Sequence, residues 1–163
     1  MLLALALALP LHAATVMLAP ATIGSRLQVK LHDLYGAGEA TELKSAVAEY
    51  LGREFNAAGV TVDAAAPLRI EVSIEDAVPT HPTRYQLQQT PSLDYLRSIS
   101  RGGAHLVAVL RAADGKEIDR VDLDYSPASL DEVSPAGGAW GDARVAMDRF
   151  SVQVLKAWRR RAH

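Results

Sequence analysis

The sequence predicts an α+β domain, a two-layer sandwich with a mixed sheet of about four strands and two helices on one face. Three observations predict it. Leu68, Ile70, Val72 and Ile74 alternate with Arg69, Glu71, Ser73 and Glu75, the period of a strand with one wet face. Leu43, Val47, Tyr50, Leu51, Phe55 and Ala58 recur instead at three- and four-residue spacing, the stripe of an amphipathic helix. Asp114-Gly115 separates two apolar runs and reads as a hairpin turn.

The chain opens on Met1 to Leu9, an unbroken apolar run followed by Pro10 and the small pair Ala13-Ala14. This matches the apolar core and exit of a secretory signal, and it is too short to span a bilayer. Residues 1–14 are therefore expected to be a cleaved signal, with its basic leader upstream of Met1. Export places the protein in the periplasm or outside the cell. Residues 15–24 form a lead-in without a period, and 25–163 form a single domain carrying an insert at 79–103.

Within that domain, Leu27, Val29 and Leu31 alternate with Gln28, Lys30 and His32, which predicts a first strand. Tyr35-Gly-Ala-Gly38 breaks it with a tight turn rather than an anion site. The helix from Glu39 follows, with Glu39 and Glu42 at its positive end and Gly59 as its stop. Gly52 inside it is expected to mark a close packing contact. In the insert, Arg84 to Gln89 reads as a short strand or an extended loop. Thr90-Pro91 resembles the start of a short helix carrying Leu93, Leu96 and Ile99. His105 to Leu110 and Ile118 to Tyr125 are the hairpin strands. Asp142 to Arg161 is the second long helix, with Ala143, Met147, Phe150, Val154 and Trp158 on its apolar face and three arginines at its end.

Composition narrows the function classes. Seventeen basic against nineteen acidic residues give a net charge of −2, which argues against nonspecific nucleic-acid binding. The absence of cysteine excludes disulfides, thiolate metal sites, thiol catalysis and a thioether lipid anchor. No two of the five histidines are spaced to share a helix or strand face, so no metal and no cofactor is expected. Asp122 and Asp124 share one strand face and Asp119 takes the other, the pattern of solvated charges guarding an edge strand.

No nucleophile elbow or phosphate-binding loop is present. Arg97 and Arg101, four apart, form a cationic spot, and Gly102-Gly103 let backbone approach a neighbour closely. Trp140 and Asp142 open the last helix, as staple and cap. Arg97, Arg101, Gly102, Gly103 and Trp140 are accordingly the candidate binding residues, and no catalytic residue is assigned. The expected contact surface is the insert together with an open sheet face bearing Gln28, Lys30, Arg69, Glu71 and Ser73.

The order of elements, with Trp140-Gly-Asp-Ala143 leading into Met147-Asp-Arg-Phe150, resembles the N-terminal domain of the Tol-system translocation protein and several envelope lipoprotein families. That resemblance implies an envelope protein and carries over no catalytic residue. The expectation is a non-catalytic exported module that binds an envelope protein or envelope component. The alternative is a hydrolase using Ser98 or Ser100 with Arg101 and His105.

Overall fold

The computed structural model describes residues 14–134 and 136–162. The expected signal lies outside them except for Ala14, whose carbonyl accepts the Thr61 N–H at 2.9 Å. Among the described residues six strands form one mixed sheet: β1 (Thr15–Leu18), β2 (Thr22–Ile23), β3 (Thr61–Val62), β4 (Arg69–Val78), β5 (Gly103–Arg111) and β6 (Glu117–Tyr125). Their order is β3-β1-β4-β5-β6, and β2 joins β4 just beyond the end of β1. Pairings made by β1 and β2 are parallel, whereas β4-β5-β6 is an antiparallel meander.

Among the described residues four α-helices accompany the sheet: α1 (Ser25–Lys30), α2 (Glu39–Ala57), α3 (Arg84–Gln89) and α4 (Gly141–Arg161). Helix α4 packs over β5 and β6 and against α2. Every third or fourth residue from Ala143 to Trp158 is buried, so its apolar stripe meets Ile70, Val72, Leu106, Ala108 and Leu110 from the sheet in one core. Phe55 and Trp158 close that core edge to face, with ring centroids 5.7 Å apart. The two-layer α+β expectation holds, with more strands than the four expected.

The first expected strand is a helix. Leu27, Leu31 and Tyr35 are all buried, whereas Val29 is 60% exposed and Leu34 53%. The burying period is therefore four, and Val29 imitated an alternation. A π-helical turn, Leu31–Tyr35, continues α1. Gln28 and Lys30 consequently lie on this helix and leave the sheet face; Lys30 pairs with Asp76 at 2.7 Å. The strand lost there is supplied by the lead-in. Thr15–Leu18 lies between β3 and β4, and Pro20 separates it from Thr22–Ile23. An interior parallel strand needs no wet face, so its run of Val16, Met17 and Leu18 showed no alternation.

The insert differs in two places. Arg84 to Gln89 is helical, and Thr83 forms a capping box with Gln86 at its start. Leu93 to Ile99 is a series of turns rather than a helix. Leu96 and Ile99 are exposed there, so no packing surface rewards an apolar helical stripe. At Gly52 an added Cβ would meet nothing within 4 Å, so no close contact explains that glycine. Gly36-Ala-Gly38 is a turn, with Gly36 at φ 101° against the side chain of Tyr85.

Candidate functional site

The insert is tied to the domain at its root by a single buried carboxylate. Asp142 is fully buried in the first turn of α4. Its Oδ2 accepts the Gly102 N–H at 2.8 Å and the Thr80 hydroxyl at 3.0 Å. Its Oδ1 accepts the Ser134 N–H at 2.8 Å. The Asp142 N–H in turn donates to Thr80 Oγ1 at 2.9 Å. Instead of capping its own helix, this residue joins both ends of the insert to the loop before α4.

Around that point the packing leaves no slack. A Cβ on Gly102 would lie 2.5 Å from Thr80 Oγ1 and 2.9 Å from the Val78 carbonyl oxygen. Gly103, at φ 151°, would drive a Cβ into the Tyr125 carbonyl oxygen. Trp140 is 1% exposed, meets Tyr35 edge to face at 5.7 Å, and donates its Nε1–H to Glu39 at 2.7 Å. Thr83 donates its hydroxyl to the Tyr35 carbonyl at 2.7 Å. These contacts make the close-approach glycines and Trp140 parts of the scaffold.

The insert changes character away from its root. His81, buried, bonds the Tyr95 carbonyl through Nδ1 at 2.9 Å and stacks on the Tyr95 ring at 4.8 Å. The Asp94 carboxylate accepts the N–H groups of Leu96 and Arg97, each at 2.9 Å, and the Ser98 N–H bonds the Asp94 carbonyl at 2.8 Å. That turn presents Leu96 at 75% exposure, Ile99 at 42% and Tyr95 at 39%. Arg97 and Arg101 are exposed on the same segment, and Arg101 reaches the Ala128 carbonyl at 2.9 Å. The five candidate binding residues thus divide: Gly102, Gly103 and Trp140 lie at the buried root, and Arg97 and Arg101 on the exposed turn. The sequence singled out Leu96 and Ile99 only as helix residues, yet they are the insert's main exposed apolar groups.

The serines and His105 of the hydrolase alternative are distributed differently from that expectation. Ser98 and Ser100 share a cavity of about 270 Å³ with His81. The Ser100 hydroxyl donates to the Pro79 carbonyl at 2.8 Å, and Ser98 Oγ accepts the Asp94 N–H at 3.1 Å. His105 lies on the open sheet face, its Nε2 2.9 Å from Asp122 Oδ1.

That open face carries Glu71, Ser73, Val107 and Val109 beside a shallow depression of about 320 Å³. Arg111 clamps Glu71 there at 2.7 Å. On the opposite side of β6, Asp119 accepts from Arg160 and Arg161, each at 3.2 Å, and so fastens the end of α4 to the sheet. Burial pushes its carboxyl up, but hydrogen bonds from the Arg120 N–H and the two guanidinium groups outweigh this and hold it below the ordinary value. Among the described residues no cluster of three or more His, Asp or Glu side chains is arranged to hold a metal, and no helix is long and apolar enough to cross a membrane.

No family model matches the chain, and no curated protein matches its sequence. Among solved structures, the hypothetical protein CT253 of Chlamydia trachomatis aligns with 88% of this chain and 94% of its own, at 10% identity and a TM-score of 0.52. A PelC dodecamer of Paraburkholderia phytofirmans covers 89% of this chain and 85% of its own, at 8% identity and 0.45. The lipoprotein GNA1162 of Neisseria meningitidis covers 90% and 99%, at 9% identity and 0.43. The first likeness shows a shared fold and nothing finer; the other two are too distant to carry an argument. None of the three is the Tol translocation protein, and the strand at Leu27–Leu31 that contributed to that resemblance is helical.

Proposed function

We propose that this chain is a non-catalytic, exported envelope protein that acts as a binding or accessory module through the exposed turn of its insert. One observation carries the reading: Tyr95, Leu96 and Ile99 are each exposed within a short segment held by Asp94 and anchored at His81. Large apolar side chains gathered on one ordered turn are a common mark of a contact site. The apolar segment 1–14 supports export to the periplasm or beyond, and the lack of cysteine supports a protein without a thioether-linked lipid.

The test replaces Leu96 and Ile99 by serine in the full chain. Fractionation should find wild type and variant alike outside the cytoplasm, with the same thermal midpoint. The variant should fail to restore whatever envelope defect follows deletion of the gene. Full restoration by the variant would remove the turn from the function, and cytoplasmic retention of the wild type would remove the export reading.

The cavity shared by Ser98, Ser100 and His81 favours one competing reading, a hydrolase with His81 rather than His105 as base. Its signature is turnover of activated esters that disappears in His81→Ala and in one of the two serine variants. Hydroxyls already bonded to backbone count against it.

A further inference from the structure

We propose that the exposed turn of the insert docks the protein on an anionic lipid surface, with Tyr95, Leu96 and Ile99 entering the headgroup boundary and Arg97 and Arg101 meeting lipid phosphates. This rests on the reading that the turn is the contact site, and it adds the chemistry of the partner.

Charge points to the partner first. The chain as a whole carries −2, but residues 79–103 contain Arg84, Arg97 and Arg101 against Asp94 alone. Asp94 turns its carboxylate onto the backbone N–H groups of Leu96 and Arg97, where it sets the turn instead of neutralising an arginine. Arg101 bonds the Ala128 carbonyl beside the Glu132 carboxylate, which accepts the Ala128 N–H at 3.2 Å. Among the described residues, Arg97 is therefore the cation of the turn without an acidic partner, and Arg101 the one held to its neighbouring loop. A basic, apolar turn on an acidic protein matches a surface that is both negative and greasy.

Shape and size favour lipid over a protein. Three partly exposed side chains on a turn offer far less than the roughly 800 Å² per partner of a standard protein interface. The same three suffice for shallow interfacial anchoring when cations flank them, because apolar burial and attraction to anionic headgroups add. Tyr95 keeps one ring face stacked on His81, so only its exposed remainder meets the boundary, and Leu96 and Ile99 supply most of the apolar contact. The turn is also ordered beforehand by the Asp94 bonds and the His81 stack, so docking costs little additional order.

The experiment is co-sedimentation of the protein, purified from the fraction outside the cytoplasm so that a cleaved segment 1–14 adds no binding of its own, with phosphatidylcholine vesicles and with vesicles containing phosphatidylglycerol. The wild type should prefer the anionic vesicles, and added salt should weaken that preference. Arg97→Gln should bind about fivefold more weakly. Leu96→Asp should lose at least about tenfold. Both variants should keep the wild-type melting curve, so that weak binding is not misfolding. Equal binding to the two vesicle types, or variants that bind like the wild type, would overturn the lipid assignment.

A photo-crosslinker at position 95 then separates the two readings. If Leu96→Asp abolishes a crosslink to one discrete protein, the contact site stands and its partner is a protein. If vesicle binding and every crosslink are indifferent to Leu96, both readings fall.

Discussion

The root and the exposed turn of the insert, only a few residues apart in sequence, obey opposite rules. At the root both oxygens of the Asp142 carboxylate are paired, and both glycines at the end of the insert have a neighbour in the way. Asp142 binds three donors, and Gly102 and Gly103 sit where a methyl group has no room. On the turn, backbone bonds fix the chain while the side chains of Leu96, Ile99 and Arg97 face solvent. Substitution at the root should therefore be read in stability. Substitution on the turn should be read in binding.

The strongest challenge to that contrast is Asp142→Ala. It strands the Thr80 hydroxyl and the N–H groups of Gly102 and Ser134, and unpaired buried donors cost about 1–3 kcal/mol each. A loss of about 3–5 kcal/mol is expected in urea unfolding; a loss below 1 kcal/mol would show that Asp142 is not the anchor. Gly103→Ala should follow closely, at about 2–4 kcal/mol, because it combines an unfavourable φ with a collision against β6. Gly52→Ala tests the converse in α2. With open space around its Cβ and no special φ, it should stabilise the protein by about 1 kcal/mol, seen as a higher melting temperature.

A smaller effect is expected where α4 meets β6. Asp119 has a lowered folded-state pKa, so its contribution is present above the unfolded value near 4 and fades as pH falls through the folded value. Asp119→Asn should cost up to about 1 kcal/mol at pH 7, and the gap from wild type should shrink below about pH 4 in denaturant titrations. The smallest change belongs to the turn: Leu96→Ser should shift stability by less than about 0.5 kcal/mol. A large shift there would mean that the turn packs as part of the core.

Legibility followed the same division between local pattern and distant contact. Strand β4, α2 and α4 repeat a single period over many residues, the β5–β6 hairpin is two apolar runs about an Asp114-Gly115 turn, and each is where the pattern places it. The shorter α1 offered two periods at once, and only burial of Leu27, Leu31 and Tyr35 distinguishes them. Helix α3 had a signal in Thr83 and Gln86, a capping box that alternation reasoning passes over. Of the candidate site, Arg97 and Arg101 were legible as exposed charge. Gly102, Gly103 and Trp140 stood out as special without revealing that their neighbours were Thr80, Tyr125 and Glu39.

Composition and periodicity alone determined the α+β class and the helix-covered sheet, since these depend on residue type and spacing along the chain. Tertiary structure decided that residues 15–18 fill the sheet, that Asp142 locks the insert, and that Leu96 and Ile99 remain outside the core. Each of those outcomes depends on which distant segment supplies a hydrogen-bond partner or an apolar surface. That information is absent from any local window of the sequence.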